Sequence, residues 1–180
     1  MSFKTKPITI VVVGAGFGGL SVYNNLLKHL ASYPAVSDIE LVLIAPRGHF
    51  VHYPASLRLI GQPSEDLDAF LEFTMMPLDP RFEPKTTGIV KHRSIQARVE
   101  SITDNSTTGE RFVLLDNGQR VYYTYLALAP GSSWEGPIAF PDTLEETKVH
   151  VKNWREKFTK AQNIVLIGGG ANSFGECACP

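Results

Sequence analysis

The chain is short of cysteine. Its only two, Cys177 and Cys179, stand close together near the C-terminal end, a spacing that rarely makes a structural disulfide and does not resemble a secreted framework. The expected compartment is therefore reducing and cytoplasmic, with membrane or mitochondrial association left open. Long apolar runs are also missing. None reaches the roughly 20 residues that a helix needs to span a bilayer. The opening MSFKTKPITIVVVG is basic and then apolar, but its apolar part is short and runs into a glycine turn with no small-residue cleavage site, so it reads as a first strand. An excess of either charge is absent too: 17 Lys and Arg stand against 18 Asp and Glu, a formal net charge of -1. No basic field invites nucleic acid, and no acidic tail is present.

Two further absences exclude chemistries. The segment Ser21 to Leu30 contains no cysteine, which argues against a thiol–disulfide enzyme. No tyrosine has a lysine four positions later, which removes the Tyr-x-x-x-Lys pair of a single-nicotinamide short-chain dehydrogenase. His49 and His52 have no Cys or carboxylate companions at metal-ligand spacing. They are read as hydrogen-bonded packing residues, with general-acid or cofactor-neighbour roles as the alternative.

What is present is a soluble globular composition, 43% apolar over 180 residues, enough for a real core. Ile8 to Val13 is an uncharged β-branched run that suits a parallel strand buried on both faces. Gly18 to Ala31 has the apolar spacing of a helix, and Ile39 to Ala45 reads as a second buried strand. That order is a βαβ unit. Ala55 to Ile60 suits one or two helical turns, and Phe70 to Pro84 a packed loop. Ala97 to Thr103, Arg111 to Leu115 and Arg120 to Tyr123 read as three antiparallel strands. Asp116-Asn117-Gly118 predicts a type I′ hairpin between the last two. Tyr122, Tyr123 and Tyr125 are read as strand packing. Tyr125 to Ala129 has a buried-strand pattern, Val149 to Ala161 a helical one, and Asn163 to Ile167 that of a new strand before Gly168-Gly169-Gly170.

VVVGAGFGGL, Val11 to Leu20, places Gly14, Gly16 and Gly19 at the spacing of a dinucleotide fingerprint. Gly14 permits the tight turn, Gly16 lets backbone approach a pyrophosphate, and Gly19 lets the helix pack on the strand, so that the phosphate meets free amides and the positive helix end. The flanking strand and helix supply the context the motif requires. The alternative is a glycine turn that serves packing only. One part is missing: the second strand ends in Ala45, where an Asp or Glu would bind ribose hydroxyls. Arg47 either reaches a 2′-phosphate or is an exposed loop arginine.

Together VVVGAGFGGL, HFVHYPASLRLI, VYYTYLALAPGSSW and VLIGGG, in that order, resemble the pyridine-nucleotide-disulfide oxidoreductases, and more closely their apoptosis-inducing-factor-like, ferroptosis-suppressor-type branch. The resemblance covers nearly all of this chain and about the first half of a full member. It implies an α/β fold: a Rossmann-like FAD-binding βαβ sheet with an inserted antiparallel β-meander, plus the truncated start of a second nucleotide-binding unit. The implied division is 1–131 for the FAD-binding part, 132–162 for a connector and helix, and 163–180 for the opening of an NAD(P)H domain. The implied function is an FAD-dependent NAD(P)H oxidoreductase with a small-molecule electron acceptor of quinone type, peripheral membrane contact being compatible with it. The alternative is a catalytically inactive nucleotide-binding fragment.

By the same resemblance Gly14, Ala15, Gly16, Phe17, Gly18 and Gly19 would hold the FAD pyrophosphate. Arg58 matches an arginine that contacts FAD, or else is an amphipathic surface residue. Val99 matches a position whose backbone meets the adenine. Ala129-Pro130-Gly131 matches an Ala-Thr-Gly turn that passes the cofactor again. Gly168 and Gly170 would open the NAD(P)H site. No catalytic side chain and no metal is implied. The departures are Ala45 for the acid, Pro130 for Thr, and Ser173 where a further glycine is expected.

Overall fold

The computed structural model describes residues 8–31, 39–61, 71, 75–77, 90–105, 107–165 and 167. The described chain divides into two compact units that interleave in sequence. One holds residues 1–47 and 79–131, the other residues 48–78 and 132–180.

The first unit is built on a parallel sheet. Strands β1 (Ile8–Val13), β2 (Ile39–Ala45), β5 (Val90–Gln96) and β9 (Tyr125–Leu128) lie in the order β5-β2-β1-β9. Val11 and Val12 are adjacent and both fully buried. Since alternate strand residues face opposite sides, this strand is covered on both faces. On one face Val12, Leu41 and Leu43 pack against Tyr23 and Leu27 of helix α1 (Phe17–Ala31). On the other, Val11, Val42 and Ile44 pack against Ala97, Val113, Leu115 and Val121. The last three come from a three-stranded antiparallel sheet, β6 (Val99–Asn105), β7 (Glu110–Leu115) and β8 (Arg120–Tyr122). The expected βαβ unit and inserted meander are both there.

Several expectations need correction. Strand β5, VKHRSIQ, escapes an apolar-run search because it pairs only with β2 among the described strands and keeps polar residues. Its Arg93 Nε lies 2.7 Å from Glu40 Oε1 on β2. Strand β9 is not buried at its ends: Tyr125 and Leu128 are exposed, because among the described strands it pairs with β1 alone. Tyr123 packs on the core, and Tyr122, though exposed, packs against its cross-strand partner Phe112 with ring centroids 5.6 Å apart, as strand packing requires. The β7–β8 hairpin is wider than a two-residue type I′ turn. Gly118 N–H donates to Leu115 O at 2.9 Å, Leu115 N–H to Gln119 O at 2.9 Å, and Gly118 follows with φ 79°. That is a three-residue loop, Asp116–Gly118, closed by a left-handed glycine. Asn117 Oδ1 accepts the Gln119 N–H at 2.9 Å instead.

The second unit contains β3 (His49–Val51) paired antiparallel with β4 (Met75–Pro77), where a loop was expected, and helices α2 (Tyr53–Gly61) and α3 (Leu144–Lys160). Val51, Leu59, Ile60, Leu71, Met75, Phe140 and Val151 form its core. Arg155 Nε donates to Leu59 O at 2.8 Å, tying α3 to the end of α2. His52 Nδ1 accepts the Ala55 N–H at 3.2 Å, so this histidine caps α2. Helix α3 starts five residues before its expected Val149. Thr143 Oγ1 accepts the Glu146 N–H at 3.3 Å and donates to Glu146 Oε2 at 2.7 Å. Thr143-x-x-Glu146 is a capping-box spacing and was the signal for that start. The expected strand at Asn163 to Ile167 is not formed over its described residues. Val165 is 82% and Ile167 95% exposed, and a strand needs a partner that none of the described segments supplies.

Candidate dinucleotide-binding site

The site begins where β1 leaves the sheet. Gly14 N–H donates to Ile44 O and Ala129 N–H donates to Val13 O, each at 2.8 Å. The ladders on both sides of β1 therefore run to its last residue. Gly14 then turns with φ +101°, a conformation that a side chain disfavours. A Cβ on Gly14 would overlap the Ala129 carbonyl oxygen and stand 2.8 Å from its carbon. Two residues into α1's first turn, Gly19 sits against Gly14. A Cβ there would overlap the Gly14 oxygen, lie 2.8 Å from the Gly14 carbonyl carbon and lie 3.5 Å from Ala129 Cβ. The end of β1, the start of α1 and the end of β9 thus close on one another through two glycines and one alanine.

Gly16 is different. A Cβ added to it would meet nothing within 4 Å, and Gly18 would meet only Ala129 Cβ, at an ordinary 3.7 Å. Gly16, Phe17 and Gly18 are exposed, Phe17 by 56%. Leu20 N–H donates to Gly16 O at 2.9 Å, so Gly16 caps α1. The first-turn amides of a helix lack intrahelical acceptors and carry its positive end. No acidic residue stands in that turn of α1. The result is an open rim, clear of side chains at Gly16 and Gly18, beside a positive helix end, the shape and charge a pyrophosphate requires. The strand order places it at the reversal between β1 and β9, outside the strands' carboxyl ends, where open α/β sheets bind ligands.

The other expected site residues fall as follows. Ala15 is half-buried against the α1 side of the core. Val99 opens β6, half-buried on the meander side, where the strand register shifts between Val99 and Ser101. Ala129 touches the glycine turn as described, and Gly131 follows, exposed, with φ 75°. Arg58 is exposed in the last turn of α2, in the other unit. Gly168 and Gly170 lie outside the described residues. Ile44, which receives the Gly14 amide, was not expected at the site, because only strand pairing brings it there. At the far end of β2, Ala45 is 5% exposed and its carbonyl accepts the Ala97 N–H at 3.0 Å. Among the described residues no three His, Cys, Asp or Glu side chains gather as a metal-ligand set. No described helix is long and apolar enough to cross a membrane.

Comparison with known proteins decides the family. The family model for pyridine nucleotide-disulphide oxidoreductases matches residues 8–179. The chain belongs to this family.

Similar proteins within it include the FAD-dependent oxidoreductase FVFD30 of Flammulina velutipes, 38% identical over 106 residues, 59% of this chain and 31% of that protein. Ferroptosis suppressor protein 1 of Taeniopygia guttata is 26% identical over 91% of this chain and 38% of its own length. Apoptosis-inducing factor 1 of Saccharomyces cerevisiae is 26% identical over 94% and 39%. The chain thus spans roughly a third to two-fifths of the relatives it matches, rather than the expected half. Among solved structures, the sulfide:quinone oxidoreductase of Aquifex aeolicus aligns with TM-score 0.52 and 24% identity, over 85% of this chain and 33% of that one. Plasmodium falciparum NDH2 in complex with NADH aligns with TM-score 0.52 and 18% identity, over 85% and 29%. These likenesses establish the fold on which the glycine turn of this family member sits.

Proposed function

We propose that this chain forms the FAD-binding part of an FAD-dependent NAD(P)H oxidoreductase with a quinone-type electron acceptor. The single observation that carries the reading is Gly16. Gly14 and Gly19 are explained by the fold, since a side chain at either would strike backbone. Gly16 has open space where a side chain would go, so the fold leaves this rim at the helix N-terminus clear for a ligand.

In this reading Gly14 to Gly19 cradle the pyrophosphate, with Ala129 and Gly131 passing beside it. Val99 presents backbone to the adenine. Gly168 and Gly170 open the nicotinamide site, so that residues 1–131 serve FAD and 163–180 begin the NAD(P)H domain. Bound flavin supplies hydride acceptance and onward electron transfer. The chain's own part is to bind and orient the dinucleotide, with no acid or base side chain required. The relatives' names, an FAD-dependent oxidoreductase and a sulfide:quinone oxidoreductase, support flavin and a quinone acceptor.

The test is an absorbance spectrum of the protein after reconstitution with FAD, followed by NADH and NADPH oxidation with a short-chain quinone. Retained flavin with quinone-dependent turnover is the expected result. No flavin retained after reconstitution rejects the reading. Flavin retained without turnover keeps the binding role and rejects the activity for this chain.

A further inference from the structure

The tip of the meander carries a reactive pair that the dinucleotide reading leaves unused. Asn117-Gly118 is the chain's one Asn-Gly sequence, and it lies in the exposed loop between β7 and β8. A glycine after an asparagine leaves its own amide nitrogen unshielded, because it has no Cβ. A Cβ on Gly118 would meet nothing within 4 Å, so the loop is open to water at this point. Two hydrogen bonds keep the pair apart. Gly118 N–H donates to Leu115 O at 2.9 Å. Asn117 Oδ1 accepts the Gln119 N–H at 2.9 Å, a local turn that commits the carboxamide to the nitrogen two residues on. The loop is also tied back to the sheet. Asp116 N–H donates to Arg98 O at 2.9 Å, beside Val99, which pairs with Leu115.

We propose that Asn117-Gly118 is a modification site, a spontaneous deamidation site that the closed hairpin holds in check and that local opening of the hairpin releases. In the open loop the Gly118 amide nitrogen, having lost its proton to base in the solvent, attacks Asn117 Cγ. A Cγ–N bond forms, the Cγ–Nδ2 bond breaks, and Nδ2 takes up a proton and leaves as ammonia. Water then opens the succinimide at either carbonyl, giving aspartate or isoaspartate, with no change of oxidation state. In the closed hairpin the proton that must leave is the one engaged with Leu115 O, and the carboxamide that must swing round is held by Gln119 N–H. Breaking both bonds first slows the step by about tenfold or more. The isoaspartate product carries an extra methylene in the main chain and a new carboxylate. A three-residue loop of that length no longer fits the register of β7 with β8. Each opening that goes to isoaspartate is therefore recorded as a hairpin that does not close again.

The experiment holds the 180-residue chain at neutral pH in native buffer and, in parallel, in urea above its unfolding transition. Peptide mapping locates isoaspartate, and ion-exchange chromatography reads the added negative charge. Isoaspartate at position 117 should accumulate about tenfold or more faster in urea than in buffer, as expected where reaction waits on local opening. Asn117→Ser should remove the main acidic species in both conditions. The isoaspartate form, purified and returned to buffer, should melt below the unmodified chain. Equal rates at Asn117 in the two conditions overturn the gating by the hairpin. Conversion in urea no faster at Asn117 than at the other asparagines overturns the site itself. An isoaspartate form that melts with the unmodified chain overturns the loss of loop closure.

Discussion

The glycine turn separates what the fold needs from what a ligand needs, and two substitutions resolve them. Gly19→Ala places a Cβ over the Gly14 carbonyl, with backbone and not a flexible side chain in the way. Overpacking of this kind costs about 1–3 kcal/mol. At roughly 2–4 °C per kcal/mol for a chain of this size, the upper value predicts a fall of about 6–12 °C in Tm. Gly16→Ala meets nothing within 4 Å. Its loss of N-cap preference, of order 0.5–1 kcal/mol, is offset by a similar entropic gain against the unfolded chain, so Tm should move by less than about 3 °C. Binding should behave in the opposite sense. Gly16→Val fills the open rim, and two lost amide–phosphate hydrogen bonds amount to about 3–6 kcal/mol, a fall in FAD affinity of roughly a hundred- to ten-thousand-fold. Differential scanning fluorimetry reads the first quantity and flavin fluorescence titration the second. Unchanged FAD affinity in Gly16→Val would refute the site assignment. A Tm loss in Gly16→Ala as large as that in Gly19→Ala would refute the division between fold and ligand.

Three other outcomes follow from the packing. Leu27→Ala removes a buried contact of α1 on the sheet and should destabilise by about 2–5 kcal/mol in urea unfolding; a loss under about 1 kcal/mol would contradict the placement of α1. Thr143→Ala removes the cap of α3 and should cost about 1 kcal/mol, with Thr143→Ser restoring most of it; a serine variant no better than alanine would argue against the hydrogen bond. The Tyr123 phenol is held above its ordinary value, first by burial and then by the Asp104 carboxylate, with Arg111 opposing. A raised folded value means that its stabilisation is full below the unfolded value of about 10 and is lost as pH rises through the folded one. Tyr123→Phe should therefore remove a tyrosinate step above about 10 in an alkaline absorbance titration, and removal of a step at or below about 10 would sink that assignment.

The first βαβ unit and its glycine turn were legible in the sequence alone. Ile8 to Val13, Ile39 to Ala45 and the helix between them fall where periodicity puts them, because strands covered on both faces read as near-continuous apolar runs. The two ends of the sheet were not legible. β5 reads as polar and β9 as buried, although each pairs on one side only among the described strands. A local pattern reports how apolar a segment is; only tertiary pairing decides which edge faces solvent. The same holds at Asn163 to Ile167, where a strand-like pattern finds no ladder over its described residues.

At the site, the spacing of Gly14, Gly16 and Gly19 named the chemistry, since a pyrophosphate needs backbone without side chains. Spacing alone could not assign the three glycines their separate roles. Those depend on Ala129, more than a hundred residues away in the chain, whose carbonyl closes on Gly14 and whose methyl lies against Gly18 and Gly19. The sequence by itself therefore determined the unit and the class of ligand it suits. The tertiary structure decided which glycines the fold constrains, Gly14 and Gly19, and which it leaves open, Gly16, because a steric requirement exists only where two distant parts of the chain meet.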